Sequence, residues 1–462
     1  MFSLNYIKAR RLIKWRRASQ ILFFGIFVSL LWGRLVALPL FHGSTSLFFQ
    51  TDPFWSVIKI FSGSAQAIFF LAAIPLVLTL FLGRFFCGWI CPMGTLNQFF
   101  MWIFSKTKTQ RIATNSQLQL KYLILFGTGI LALLGLNLAG WLDPFSFLTR
   151  GLSGGLLSGL LLMTILILNA KYKRFFCAVL CPLGALYGLT SRLGFLRINR
   201  SADCTDCGLC NKDCSYDMNA LGAFHPAECT TCLNCLGHCK KDIAQVTWEN
   251  PIKPVSKTYA PGRRLALTTL GGTLAFAGLA KVSAPFTGSK RTPYLRPPGS
   301  LKEDDFTDEC MRCGNCIAAC PPKIIQHSYT EAGWEGLWTP ILNFEFAGCA
   351  WECVSCLDVC PTSAIEQLTL PQKQEYRIGT AIIKKDFCYT YADGFNCTAC
   401  IEACPTPEKA LFTRPTETWN YRGQKVTVNQ VIVDPDLCIG CGLCIPACPR
   451  KDEPAVIVRF DS

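Results

Sequence analysis

Every one of the 28 cysteines in this 462-residue chain belongs to a tight cluster. Six of the clusters hold four thiols each. They are CTDCGLCNKDC (Cys204, Cys207, Cys210, Cys214), CTTCLNCLGHC (Cys229, Cys232, Cys235, Cys239), CMRCGNCIAACP (Cys310, Cys313, Cys316, Cys320), CAWECVSCLDVCP (Cys349, Cys353, Cys356, Cys360), CYTYADGFNCTACIEACP (Cys388, Cys397, Cys400, Cys404) and CIGCGLCIPACP (Cys438, Cys441, Cys444, Cys448). Three thiolates at this spacing wrap three corners of an iron–sulfur cubane, and the fourth cysteine crosses to a neighbouring cluster. The pattern predicts six [4Fe–4S] clusters with these 24 cysteines as iron ligands. In the first module it groups Cys204, Cys207 and Cys210 with Cys239, and Cys229, Cys232 and Cys235 with Cys214. Among the later sets the exchange stays open, since the first can partner the second or the fourth. Ser215 and Lys240 stand where a proline usually closes the run. Structural zinc also uses Cys-x2-Cys, but it pairs such dipoles across a longer gap and seldom gives complete runs of four.

The remaining four cysteines lie in RFFCGWICPMG, residues 84–94, and RFFCAVLCPLG, residues 174–184, each directly behind a long apolar run. Side chains at i and i+4 share one helix face, so each motif is expected to offer two thiols side by side. A twofold relation between the motifs brings Cys87, Cys91, Cys177 and Cys181 together as one redox site, either a metal centre or a dithiol pair.

These residues have to be held by something. Half of the chain is apolar and 16% is charged, with a mean hydropathy of +0.29. Apolar segments of spanning length run over Gln20–Phe41, Ser64–Gly83, Lys121–Leu142 and Leu152–Ala170. Lys and Arg concentrate in the N-terminal tail, between spans two and three and after span four, which puts the N-terminus and both RFFC motifs on the cytoplasmic side. The spans repeat: TDPFWS at 51–56 answers LDPFSF at 142–147, about ninety residues on, as the second RFFC motif answers the first. Asp52 and Asp143 open those turns near the periplasmic ends of the spans, one span away from the cytoplasmic RFFC motifs, and at membrane depth are candidates to accept protons; Asp-Pro is also a turn starter. His42 is the one histidine near the bundle, and Arg34 is a costly charge inside the first span. No Cys-x2-Cys-His is present, so covalent c-type haem is excluded, and no Gly-rich nucleotide fingerprint occurs in a strand–helix setting.

The fold expected is a membrane α-helical four-helix bundle of two repeated two-helix units (residues 1–200), an α+β ferredoxin-like two-cluster module (201–250), a linker (251–300) and a four-cluster ferredoxin-like domain (301–462). The linker contains RRLALTTLGGTLAFAGLAKVSA at 263–284, whose twin arginines before a weakly apolar stretch look like an internal twin-arginine export signal. A formal charge of +14 normally points to acidic partners. Six cubanes at roughly −2 each would offset it, so no nucleic-acid partner is expected.

The first 245 residues or so resemble the NapH or MauN type of membrane ferredoxin, carried by the four spans, the paired Cys-x3-Cys-Pro motifs and the two-cluster module. The rest, a twin-arginine segment before four cysteine sets, resembles the NapG or MauM type. The resemblance implies a fusion of subunits that oxidise quinol, menaquinol or ubiquinol, from the membrane pool and pass electrons to a periplasmic reductase such as nitrate reductase, or to a c-type cytochrome. It places the chain in the bacterial inner membrane with its C-terminal domain in the periplasm, in anaerobic respiration. Competing readings are a maturation or regulatory membrane ferredoxin for a metalloenzyme, and a cytoplasm-facing ferredoxin:quinone reductase.

Overall fold

The computed structural model describes residues 6–35, 46–61, 71–104, 115–153, 155–169, 171–200, 207, 210, 214, 227–239, 244–248, 270–274, 294–329, 331–419 and 422–460. Cys204, His42 and most of the linker with its twin-arginine segment lie outside the described residues, as do the ends of the first two expected spans. Arg34 falls in the last turn of the first helix, and its side chain is likewise outside. The chain divides into two units, Met1–Gly33 with Ser44–Val282, and Arg34–Gly43 with Ser283–Ser462.

The first unit is helical. Helix α1 (Tyr6–Leu35) is followed by α2 (Ser46–Gln50) and by α3 (Pro53–Phe61). Asp52 starts α3 by accepting the Phe54 N–H at 2.8 Å, with proline in the first turn, where its missing N–H costs nothing. Helix α4 (Ala73–Leu82) stops at Gly83, where φ is +65°, and the chain turns into α5 (Phe85–Trp89) and α6 (Pro92–Ile103). Helix α7 (Asn115–Leu133) ends just before Gly135, at φ +78°. The second half then repeats the first: α8 (Pro144–Leu152) is capped by Asp143, which accepts the Ser146 N–H at 2.7 Å, then come α9 (Leu156–Leu168), a π-turn at Phe176–Leu180 and α10 (Pro182–Arg192). Strands β1 (Leu196–Arg200) and β2 (Ala244–Trp248) pair antiparallel, Leu196 opposite Trp248, and flank the helix Asn234–His238.

The expectation of four continuous spans is corrected here. Among the described residues no single helix is long and apolar enough to cross a membrane; α8 and α9 together have the length and composition but meet at a bend of 119°. The reason is local. Each Asp-Pro ends one segment and starts a short helix of nine residues, so the repeat is built from half-helices.

The second unit is made of short pieces around cysteine loops. Its described strands form three antiparallel pairs: β3 (Ile325–His327) with β4 (Pro340–Leu342), β5 (Thr380–Ile383) with β8 (Val456–Arg459), and the longer hairpin β6 (Leu411–Trp419) with β7 (Lys425–Val433). Thiols make up a large share of the core. Phe306, Leu357, Val359 and Ile365 pack among Cys310, Cys316, Cys320, Cys349 and Cys356, and Ala381, Leu411 and Val431 pack among Cys400, Cys404, Cys438 and Cys444. Such a core buries little hydrocarbon per residue, so what the thiols bind must contribute to its stability.

Candidate functional site

In the second unit the exchange left open by spacing is resolved by which thiols face one another. Cys316 is surrounded by Cys313, Cys310 and Cys360, and Cys356 by Cys349, Cys353 and Cys320. The first and second sets therefore trade their fourth cysteines. The third and fourth do the same: Cys400 faces Cys388, Cys397 and Cys448, while Cys441 faces Cys404 and Cys438. One cavity is lined by Cys310, Cys313, Cys316 and Cys360, and another by Cys404, Cys438, Cys441 and Cys444.

The loops around these quartets have the backbone a bound anion needs. In three of them the residues on either side of the second cysteine take left-handed φ: Arg312 and Gly314, Thr231 and Leu233, Gly440 and Gly442. Runs of this kind turn successive N–H groups inward as an anion nest, and for Thr231, Leu233 and Arg312 the conformation is costly enough to imply a compensating ligand. Backbone N–H groups also reach the sulfurs directly, Ile365 to Cys360 and Ala381 to Cys438, each at 3.4 Å, and Ala455 to Cys448 at 3.5 Å. Four thiols, a cavity and inward amides fit a [4Fe–4S] cluster.

Burial and neighbouring thiols push Cys400 up to about 12 and Cys441 to about 11. Cys404 goes the other way: burial alone would raise it, but the Thr406 hydroxyl and the N–H groups of Thr406, Ala410 and Leu411 carry it below the usual thiol range. Among the described residues no three His, Cys, Asp or Glu side chains gather closely enough to hold a single metal ion. The quartets surround cavities instead, and a cubane stands its ligands further apart than a mononuclear centre does.

The two dicluster halves pack against each other, and one of their contacts joins two cysteines. The Cys349 N–H donates to the Cys441 carbonyl at 2.7 Å, and Cys349 is among the thiols nearest Cys441. This contact joins the quartet Cys320/349/353/356 to the quartet Cys404/438/441/444.

In the first unit, Cys229, Cys232 and Cys235 stand with Cys214 as the spacing predicts. Of the other group, Cys207 is exposed and Cys210 and Cys239 are half-buried.

The four motif cysteines also come together, Cys181 facing Cys177, Cys87 and Cys91. They do so by a different route from the shared helix face expected of i and i+4. The helix breaks between the two thiols of each motif: the Cys91 N–H reaches back to the Phe86 carbonyl at 2.9 Å and the Cys181 N–H to that of Phe176 at 3.0 Å, a five-residue loop, and proline then starts the next helix. Cys91 and Cys181 become the N-caps of α6 and α10, and the Gly184 N–H donates to Cys181 Sγ at 3.2 Å. A helix N-terminus favours a thiolate.

Several residues here were missed from sequence. The arginine of each RFFC motif reaches the ferredoxin loop just before and after Cys229. Arg84 donates to the Ala227 carbonyl at 2.9 Å and to Glu228 at 3.2 Å; Arg174 donates to Thr230 Oγ1 at 3.0 Å. Glu228 is buried and also takes Lys121 Nζ and the Tyr122 hydroxyl, the latter at 3.0 Å. Trp89 Nε1 donates to the Thr231 carbonyl at 3.2 Å, and a Cβ on Gly88 would sit 2.3 Å from the Thr230 carbonyl, so only glycine lets the loop approach. Repetition of the arginine was a signal in the sequence; Glu228 had none.

Asp52 and Asp143 are both fully buried, and the repeat brings their carboxyls near each other. The oxygens not used as helix caps, Asp52 Oδ2 and Asp143 Oδ1, have no hydrogen-bond partner among the described residues. Tyr187, also buried and with no hydrogen-bond partner for its hydroxyl among the described residues, lies between Asp52 and the thiols of Cys87, Cys91 and Cys181.

Thiol quartets of this kind define a multi-cluster 4Fe–4S electron-transfer protein. The comparisons agree. A family model described as a 4Fe-4S binding domain matches residues 64–109 and again 155–201, each stretch containing one RFFC motif and no other cysteine. Models described as 4Fe-4S dicluster domains match residues 309–365 and 395–451. An uncharacterised protein of Methanocaldococcus jannaschii is 31% identical over 42% of this chain and 86% of its own length. The ferredoxin-type protein NapH of Escherichia coli is 27% identical over 53% of this chain and 93% of its own. The methylamine utilization ferredoxin-type protein MauM of Methylorubrum extorquens is 34% identical over 30% of this chain and 64% of its own. No solved structure matches. The chain belongs to the NapH and MauN type of ferredoxin-type electron-transport proteins.

Proposed function

We propose that this chain is a membrane quinol dehydrogenase fused to its own electron wire, joining a NapH-type and a MauM-type portion. The observation that carries the reading is the buried Asp52–Asp143 pair, beside Tyr187 and the motif thiols. An apolar cavity of about 240 Å³ lies at the same end, lined by Phe23, Phe48, Thr51, Ile74, Leu78 and Phe86. Thr51 precedes the acid and Phe86 precedes Cys87, so an apolar ring seated there has a proton acceptor on one flank and a redox site on the other.

Oxidation of a quinol releases two electrons and two protons. The protons pass first to the acid pair, whose capping hydrogen bonds hold both carboxyls in place. The electrons leave singly through the cysteine site; iron–sulfur clusters supply one-electron carriers when bound. The Arg84 and Arg174 contacts hold the Cys229 loop against the motifs for that transfer. The six quartets and the additional centre at Cys87, Cys91, Cys177 and Cys181 make up the route, and the exit partner is a periplasmic reductase or c-type cytochrome.

A membrane setting is supported by what the first unit exposes. Ile21, Leu22, Ile74, Val77, Leu156 and Leu160 all project outward, a run of apolar surface that water would penalise and lipid would not. The N-terminus is assigned to the cytoplasm and the four-cluster domain to the periplasm, delivered by the twin-arginine segment at 263–284.

The test is anaerobic. Protein purified in detergent is assayed for iron, mixed with menaquinol and followed by EPR. Rapid cluster reduction that disappears in Cys87→Ala/Cys181→Ala is expected; fully loaded clusters that stay oxidised would refute quinol oxidation. A reporter fused after Ser462 that is active only in the cytoplasm would refute the periplasmic assignment.

A further inference from the structure

Lys373 sits on the helix Leu370–Glu375, which is fixed by a capping box between Thr369 and Gln372. Its side chain is 1% exposed. Its ammonium donates to two carbonyls of a single short segment, Ala350 at 2.7 Å and Trp351 at 3.0 Å, directly after Cys349 in the chain. No carboxylate is among these partners. A buried cation is costly without a counter-ion, so its place here calls for an anion, and the sulfur of Cys349, which feels its charge, is the group positioned to be one.

The quartets differ in this respect. On the other side of the Cys349–Cys441 junction, Cys404, Cys441 and Cys444 are acted on by burial, other thiols, and threonine or backbone hydrogen bonds. The lysines near other quartets, Lys409 and Lys451, donate to backbone carbonyls from exposed positions, where water screens their charge; Lys323, beside Cys320 of the same quartet as Lys373, is exposed as well. Reducing a cluster adds one negative charge, and a nearby buried cation favours that state.

We propose that Lys373 is a positioning residue that holds the quartet Cys320, Cys349, Cys353 and Cys356 at a higher reduction potential than the quartet Cys404, Cys438, Cys441 and Cys444, so that electrons crossing the Cys349–Cys441 junction move toward the Lys373 side. This rests on the cluster assignment proposed above, and the two can fail separately.

The experiment is an EPR-monitored redox titration of the full-length, cluster-loaded protein, with the relevant signal assigned by its loss in Cys353→Ala. In Lys373→Met that midpoint is expected to fall by at least a tenfold change in equilibrium, about 59 mV for one electron. The other midpoints move less, and Lys373→Arg, which keeps the charge, stays near wild type. An unchanged midpoint at full iron content overturns the proposal, as does Lys373→Arg falling as far as Lys373→Met. If Lys373→Met loses iron, the wild-type protein labelled with ¹⁵N-lysine decides: a nitrogen hyperfine coupling on the assigned signal supports the contact, and its absence overturns it. A wild-type iron content too low to fill the quartets would instead overturn the cluster assignment.

Discussion

Glu228→Gln is the sharpest test of how the ferredoxin loop is held. In the native protein the carboxylate serves two buried cations, Arg84 at 3.2 Å and Lys121, whose side chains are 1% and 0% exposed, and it accepts the Tyr122 hydroxyl. At 7% exposure Glu228 itself is barely screened by water. The amide keeps the shape but removes the negative charge that Arg84 and Lys121 share. Removing one partner from a buried ion pair costs about 3–5 kcal/mol. For a unit of this size that corresponds to a fall in melting temperature of roughly 6–20 °C. Anaerobic melts followed by cluster absorbance would read it, with iron counted before and after. The cost should be partly recovered in Glu228→Gln/Lys121→Met, since the second change removes one of the stranded charges, giving a coupling energy opposite in sign to the single-variant losses. A single variant that melts within a degree or so of wild type at full iron content would refute the claim that this carboxylate neutralises the junction.

Other outcomes follow from the same geometry. Cys320→Ala should abolish the EPR signal that Cys353→Ala abolishes and leave the one dependent on Cys313, because the fourth ligand comes from the neighbouring set. Asp52→Asn and Asp143→Asn should slow quinol-driven cluster reduction severalfold or more without loss of iron; unchanged rates in both would remove the acid pair from the reaction. Gly442→Ala should destabilise the second unit by about 1–3 kcal/mol, since its Cβ would lie 2.4 Å from the Phe344 ring at a φ of +73°, readable as a lowered melting temperature. The cluster-free chain should lose stability as pH rises. Cys400 and Cys441 bind their protons more tightly folded, near 12 and 11, than at the free value of 9.0. Their support is complete below pH 9 and withdrawn through 11–12; a cluster-free chain equally stable at both ends of that window would contradict it.

The quartets were legible in the sequence because cluster chemistry fixes spacing within a loop of a dozen residues. Their exchange was not, since Cys360 reaches Cys316 through tertiary packing that no local pattern encodes. The repeat was equally plain in Asp-Pro-Phe and Arg-Phe-Phe-Cys, and the meeting of Cys87, Cys91, Cys177 and Cys181 followed from it. The local geometry did not. Counting four residues along an unbroken helix overlooked the proline after each second cysteine, which forbids the helix from continuing and makes that thiol a cap. Hydropathy alone likewise runs on to Leu142, whereas the long helix ends at Leu133, just before Gly135. Lys121 read as the edge of an apolar segment because the partner that explains it, Glu228, is 107 residues away.

The traded fourth cysteines also bear on how the protein is assembled. Cys320 and Cys360 tie each loop of the first two sets to the iron of the other, and Cys404 and Cys448 do the same for the last two. Neither site of a couple has its full ligand set until both loops are folded, and damage to one cluster frees a ligand the other depends on. The second unit should therefore acquire and lose its iron in couples, with partly filled chains skipping the odd-numbered states.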